Sequence, residues 1–433
     1  MLFKSLYKAT LLTLLAVAGA HTCAKNAANG EITLTPPGGP ARLMRDFFGM
    51  HIHRGDQAAD WPSVNFGSWR FWDGAATWPD VQPNAQTWNF QKTDAYVARA
   101  RSLGIGALIT LGRTPQWASS RPLEPSAFGP GQAAEAAKLD DWRAYVRRLA
   151  TRYAGKVEAY QVWNEANTAP FWTGSVDKLM ALTCIAFEEV KRADPKALLV
   201  APSGVGADKR VAWVKTFLAA GGAKCVDVAS YHLYTGSNAP ESFVTPMLDM
   251  RKQMADGGFA AIPLWNTETG YFIPNVTAAN PTEGWSPYEL RNQIDEKTAA
   301  DYVVRAMLLA RALGFERFYW YAWDDTHLGF IEPGDKKPRE QANTLGLFTS
   351  LLLRSTLERC IRNATGLWIC DLKLANSKPA QVIWVDPKAG DQFQVYAMTA
   401  AGSVRNFRQD ARRAVAAAEK LAVSSSPLLF VPN

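Results

Sequence analysis

The sequence predicts an α/β protein, a (β/α)8 TIM barrel over residues 46–353 with a small C-terminal β-sandwich domain over 354–433. Three observations predict it. Short β-rich runs alternate with helical patterns from about residue 46 to residue 353, as the βα units of a parallel sheet do. Eight such runs occur, the number that closes a barrel. After Leu353 the helical periodicity stops, and strand-like runs separated by turns replace it.

The eight runs are 47–52, 68–72, 105–111, 157–163, 197–202, 226–231, 263–267 and 317–323. Before the fourth, Trp142, Tyr145, Val146, Leu149 and Tyr153 share one helical face. Before the eighth, Tyr302, Val303, Ala306, Met307, Ala310 and Leu313 repeat that pattern, and Asp194-Pro195 and Leu313-Gly314 are helix stops. No G-x-G-x-x-G follows any run, which argues against a dinucleotide fold. Beyond the barrel, 367–374, 380–386, 392–398 and 427–431 are strand-like. In the N-terminal segment 21–45, residues 32–35 precede Pro36-Pro37-Gly38-Gly39 and are a candidate strand for the same β-domain.

The chain of 433 residues is 48% hydrophobic and 20% charged, ordinary for a protein with a full core. Its net charge of +7 is scattered: Arg147-Arg148 and Arg412-Arg413 are isolated pairs on helical patterns, with no basic stripe for nucleic acid. The excess is a solvated surface with a lean toward acidic partners. Lys4 and Lys8, the apolar stretch 9–18 and Ala18-Gly19-Ala20 predict a signal peptide over residues 1–20. The protein is therefore expected to be periplasmic or secreted, with membrane association through an uncleaved N-terminus as the alternative. The stretch is shorter than the ~20 residues of a membrane span, and a monomer is expected.

Five cysteines are permitted to pair in an oxidising compartment. Cys360 and Cys370 flank the turn signal Asn363-Ala364-Thr365-Gly366 and suit a hairpin staple; Cys184 and Cys225 are a second candidate pair, leaving Cys23 odd. The lack of any C-x-x-C argues against a cysteine zinc site.

In a barrel the residues at the C-terminal ends of the strands line the active site. Run 2 ends in Arg70-Phe71-Trp72-Asp73, run 4 in Trp163-Asn164-Glu165, run 6 in Tyr231-His232-Leu233-Tyr234, run 7 in Trp265-Asn266-Thr267-Glu268 and run 8 in Trp323-Asp324-Asp325; Thr114-Pro115-Gln116-Trp117 follows run 3. Glu165 and Glu268 are thus expected to face each other across the barrel mouth. Glycoside hydrolysis needs such a pair, one carboxyl protonating the leaving oxygen while the other attacks the anomeric carbon or activates water.

With Asn164-Glu165 ending run 4 and Glu268 ending run 7, the chain resembles the retaining glycosidases of clan A. In detail, over about residues 30–400, it resembles glycoside hydrolase family 39 and the PslG-type exopolysaccharide endoglycosidases within it. That resemblance implies Glu165 as acid/base, Glu268 as nucleophile and Asn164 as the partner of the sugar 2-hydroxyl. It implies that Tyr234, or else Tyr231, holds Glu268, that Arg70 keeps Glu268 ionised, and that Trp323 floors the central sugar subsite. Trp72, Trp78, Trp117 and Trp172 are candidate platforms for further subsites, their spread along several loops suggesting endo-action. Asp73, His53 and His232 are candidate sugar contacts; Asp324 and Asp325 are expected to be capping or loop residues. The implied partner is a polysaccharide, and no cofactor or metal is implied.

Two rivals belong to other chemistries. His51-Ile52-His53 is the H-x-H that opens metal-dependent amidohydrolase barrels, with His232 and Asp324 as further candidates. The run 197–202 ends without a histidine, run 4 ends without a bridging lysine, and the chain has five His in all, so such a site is short of ligands. A non-catalytic glycan-binding scaffold is the other rival, and the presence of both carboxylates disfavours it. Within the glycosidase reading the alternative is an exo-acting β-xylosidase.

Overall fold

Eight strands follow one another as the β-rich runs predict: Phe48–His51, Ser68–Phe71, Gly106–Leu111, Ala159–Val162, Leu198–Val200, Ala229–His232, Leu264–Glu268 and Phe315–Trp320, here the first to eighth. The computed structural model describes residues 24–26, 30–206, 208–276, 278–389 and 393–433. The signal-peptide reading of residues 1–20, and Cys23, lie outside the described residues. All pairings in this sheet are parallel, and the eighth strand pairs with the first, Tyr319 opposite Gly49. The seam between the fifth and sixth strands closes through a Val200–Val228 bridge and through Gly204–Val205, which pairs with Tyr231 and His232. The sheet is therefore a closed barrel.

Leu108, Ala159, Val200, Val228, Trp265 and Tyr319, one from each of six consecutive strand segments, pack together inside it. The interior is thus a filled core rather than a pore, and the barrel offers ligands its rim. The outer faces of the strands are covered by helices whose apolar stripes were legible. Helix Leu139–Arg152 buries Trp142, Tyr145, Val146 and Leu149. Helix Glu296–Ala312 is buried over most of its length. Helix Val176–Ala193 ends at Asp194 and helix Glu296–Ala312 at Leu313, as the stop signals predict. Among the described residues no helix is long and apolar enough to cross a membrane.

The C-terminal region is antiparallel. Thr356–Arg362, Leu367–Lys373, Pro379–Val385, Leu428–Pro432, Gly402–Asn406 and Arg412–Val415 pair in that order, and Ile32–Leu34 joins the sheet beside Thr356–Arg362. A second, two-stranded sheet, Gln394–Ala397 with Lys420–Val423, shares a small core with it that includes Val385, Met398, Val423 and Phe430. The helical reading of Arg412-Arg413 is corrected. Both arginines are exposed on a strand, where side chains alternate across the sheet and leave long cations in water. Cys360–Cys370 bridges directly opposed residues of one hairpin, and Cys184–Cys225 ties helix Val176–Ala193 to the segment before the sixth strand.

The sheet docks on the barrel through a buried polar junction. Arg305 donates to both oxygens of Glu241, at 2.8 and 2.5 Å, and Trp384 donates its indole N–H to Glu241 Oε1 at 2.7 Å. Arg305 also reaches the Ser425 carbonyl at 3.1 Å. Each charge removed from water thereby gains a partner, the condition for tolerating a buried ion pair.

Candidate active site

The chain leaves the fourth strand through two residues in the left-handed region, Trp163 (φ 60°) and Glu165 (φ 42°), with Asn164 between them. Non-glycine residues adopt such angles only where their surroundings hold them. Ser203, past the fifth strand, does so: its hydroxyl accepts from the Glu165 N–H at 3.0 Å and its carbonyl from Ala166 N–H at 3.0 Å. Glu268 is the last residue of the seventh strand.

Arg70, fully buried on the second strand, ties the two ends together. It donates to Gln161 Oε1 at 2.7 Å, to Glu268 Oε2 at 2.8 Å and to Asn164 Oδ1 at 2.8 Å. The planar guanidinium suits three acceptors in one plane. Gln161 is held in turn by donating to Ser230 and Thr267. With its oxygen engaged by Arg70, the Asn164 amide keeps its N–H2 for a ligand. Tyr234 donates to Glu268 Oε1 at 2.9 Å, while the Tyr231 hydroxyl turns away to the Gly206 carbonyl, so Tyr234 is the tyrosine on Glu268.

His232 lies with Nδ1 2.9 Å from Glu165 Oε1 and 3.8 Å from Glu268 Oε1. Burial depresses its pKa to about 3, so the ring is neutral at ordinary pH. Ligand atoms of Glu165, His232 and Glu268 all lie within 4.8 Å of one another. The nearest oxygens of the two carboxylates are thus no more than 4.8 Å apart, an approach compatible with the spacing of retaining pairs, about 5–5.5 Å between carboxyl groups.

Burial raises the Glu165 pKa from 4.5 to about 7, opposed by the Arg70 charge and aided by Asp73. Burial raises Glu268 as well, against His232 and Arg70: desolvation outweighs the cation in the net shift, while the Arg70 contact acts in the direction expected from the sequence, toward the ionised form. Two carboxyls this close, one buried and one half-buried, disfavour a second negative charge. The direct guanidinium contact favours the negative charge on Glu268 and leaves the proton to Glu165.

Beside this pair lie Asp73 and His53, with His53 Nε2 4.0 Å from Asp73 Oδ2. The Tyr321 hydroxyl donates to the same Asp73 oxygen at 2.5 Å. Tyr321 was not singled out from the sequence. It follows the eighth strand directly, and the pattern that drew attention to Trp323 gave no reason to stop two residues earlier. His51 Nε2 donates to the Thr267 carbonyl at 3.0 Å, so the H-x-H pair diverges into different hydrogen bonds. The cluster of possible metal ligands found among the described residues is Glu165–His232–Glu268, without His51 or His53. Asp324 accepts from the backbone N–H groups of His53 and Arg54, the loop role expected of it.

The platforms expected at Trp72, Trp78, Trp172 and Trp323 are corrected, because these rings are buried. Trp323 is 2% exposed and stacks on Phe330. Trp72 packs edge-on against Phe128 with Arg70 over its ring. Trp78 stacks on Tyr145 and Trp172 packs on Trp163, all buried, while Trp117 is half-buried and donates to the Gln82 carbonyl. Rings of this size bury more apolar area than any other side chain, and the loops above the barrel are thick enough to enclose them. A cleft of about 630 Å³ opens from Glu165 and Glu268 across the loops after the fifth, sixth and seventh strands. The aromatic side chains that line it are Tyr231, Tyr234, Phe243, Phe272 and Tyr288, and none of the predicted tryptophans does.

No protein-family model matches the chain, and no curated protein matches it. Among solved structures it is similar to a family 39 glycoside hydrolase from the gut symbiont Bacteroides cellulosilyticus WH2, at 16% identity and TM-score 0.69 over 93% of this chain and 87% of that one. A family 39 β-xylosidase from Caulobacter crescentus aligns at 16% identity and TM-score 0.63, over 91% and 97% of the two chains. A family 30 endoxylanase from Clostridium papyrosolvens C71 aligns at 16% and 0.60, over 92% and 98%. At these identities the likeness establishes a shared fold.

Proposed function

We propose that this protein is a retaining glycoside hydrolase of the clan A type acting on β-glycosidic bonds. One observation carries the reading: oxygens of two carboxylates, half-buried Glu165 just past the fourth strand and buried Glu268 at the end of the seventh, lie within 4.8 Å across the barrel mouth, the latter bound by Arg70 and Tyr234. Glu268 attacks the anomeric carbon and forms a glycosyl ester while Glu165 passes its proton to the leaving oxygen. Water then attacks the ester with Glu165 as base, regenerating both groups. The Asn164 amide donates to the sugar 2-hydroxyl, and neutral His232 orients Glu165 without competing for its proton.

The finer reading is endo-action on a bacterial exopolysaccharide by an exported, PslG-type enzyme. Its support is a cleft large enough for a short oligosaccharide, together with the leader pattern in the sequence. The tryptophan argument for endo-action falls away with the burial of those rings. An exo-acting β-xylosidase is the second reading, favoured by the Caulobacter neighbour. Product NMR during hydrolysis tests the mechanism, with retained β configuration expected and inversion sinking the nucleophile assignment. Product size over time separates the finer readings. Early oligosaccharides and a rapid fall in polymer length mean endo-action, and monosaccharide from the first minutes means exo-action.

A further inference from the structure

The cleft that opens from Glu165 and Glu268 has a wall that the two-carboxylate chemistry does not use. Phe272, Tyr288 and Asn292 line it there, and all three belong to the connection between the seventh strand and helix Glu296–Ala312. A short helix, Pro287–Asn292, stands in that connection. Its start is fixed locally. Ser286 Oγ accepts from the Glu289 N–H and Glu289 Oε2 from the Ser286 N–H, with Pro287 in the first turn. None of the helix's residues is buried, so a core does not place it.

Contacts with the loops around the catalytic pair place it instead. Phe272, which follows Glu268 closely in the chain, packs edge-on against Tyr288 with ring centroids 6.0 Å apart. Its carbonyl accepts from Ile294 N–H at 2.9 Å. Gly236, just past Tyr234, lies against Asn292: a Cβ there would come within 2.3 Å of Asn292 Oδ1. In the loop after the eighth strand, His327 Nδ1 lies 2.7 Å from Glu289 Oε1, and the His327 ring packs on Trp285 at 5.3 Å. The helix is therefore held from the loops after the sixth, seventh and eighth strands.

On this helix Tyr288 lines the cleft and is 55% exposed. The other aromatic side chains of the cleft wall are less open: Tyr231 and Phe243 are buried, and Tyr234 and Phe272 half-buried. A tyrosine ring held in water at a cleft wall gains by covering its apolar area. The C–H face of a pyranose supplies such a cover, and Asn292 and Thr235 in the same wall offer hydrogen-bonding groups for its hydroxyls. The hydroxyl contact with Glu268 belongs to Tyr234, which leaves Tyr288 for a different unit of the chain.

We propose that Tyr288 is a stacking platform for a sugar of the substrate away from the bond that breaks. The inference rests on the glycosidase reading and deepens it: the substrate is a saccharide chain that runs along the cleft past both carboxylates to this ring. Tyr288 thereby takes the part expected of the buried tryptophans.

The test reads binding apart from turnover. Linear β-linked gluco-, xylo- and manno-oligosaccharides of increasing length are titrated calorimetrically against the full-length Glu268→Gln protein. Affinity should rise about tenfold once the chain is long enough to reach the ring. Tyr288→Ala in the same background should erase that rise, and Tyr288→Trp should keep it, because an aromatic face is what the contact needs. Leu290→Ala is the control. It truncates an exposed apolar side chain of the same helix outside the cleft wall, and the rise should survive it. Thermal unfolding shows that each variant folds. Affinity independent of chain length, a length dependence unmoved by Tyr288→Ala or lost equally in Leu290→Ala, or no binding of any oligosaccharide overturns the platform. Length-dependent binding that needs Tyr288, without hydrolysis of the same chains by the unaltered protein, instead counts against the glycosidase reading alone.

Discussion

A buried arginine is tolerable when each of its donors meets an acceptor, and Arg70 meets three: Gln161, Glu268 and Asn164. Arg70→Met leaves Glu268 as an uncompensated buried charge. It should destabilise the fold by about 3–5 kcal/mol and abolish turnover, and chemical denaturation beside an activity assay checks both. Arg70→Lys should rescue neither, because an ammonium lacks the guanidinium fork that reaches Gln161, Glu268 and Asn164 from three nitrogens.

Glu165 fixes the pH dependence. Its pKa is about 7 and the acid step needs its proton, so kcat/KM should fall as pH rises through about 7. On activated aryl glycosides the Glu165→Gln defect should be much smaller than the roughly 10²- to 10⁴-fold loss on poor leaving groups. Added azide should rescue that variant. The stability linkage has a definite sign. The folded-state pKa lies above the ordinary 4.5, so the native state holds an extra proton between about pH 4.5 and 7 and loses stability as pH rises through that window. Glu165→Gln should therefore gain in Tm over the unaltered protein across the same window; a Tm difference that does not change with pH would refute the buried-acid assignment.

At the scale of elements, two covalent ties and one polar junction link neighbouring segments of the fold. Cys184–Cys225 closes a sequence separation of 41 residues, for which loop entropy predicts about 4 kcal/mol. A Cys184→Ser/Cys225→Ser protein should unfold several degrees lower in a thermal melt without losing catalytic efficiency per folded molecule. Glu241→Ala strands Arg305 beside Trp384. It should lower the stability of the whole chain and raise proteolytic sensitivity between residues 386 and 412, which limited proteolysis reads directly.

Barrel strands were legible because each is a short β-rich run bounded by turns, and the helices because a 3.6-residue stripe must face them. The strands Thr356–Arg362, Gly402–Asn406, Arg412–Val415 and Lys420–Val423 were missed. They lie at the protein's surface with one face wet, and their charged residues mask the alternation that marks a strand.

For the whole molecule, two-carboxylate hydrolysis needs no metal, so dialysis against a chelator should leave the rate unchanged. Activity lost to chelation and restored by zinc would move the assignment to metal-dependent hydrolysis at Glu165, His232 and Glu268. The sequence by itself determined the eightfold βα order, the strand ends that carry Arg70, Asn164, Glu165, His232, Tyr234 and Glu268, and both cysteine pairs as candidates. Those features are local: periodicity sets the elements, and a residue at a strand's end faces the rim whatever surrounds it. Tertiary structure decided what depended on neighbours distant in the chain. It buried Trp72, Trp78, Trp172 and Trp323 beneath the loops, and brought Tyr321 to Asp73. It raised Glu268 by desolvation despite Arg70, and carried Lys388 from the C-terminal sheet to the cleft. Exposure and electrostatic environment are sums over everything that packs around a group, and no stretch of sequence contains that sum.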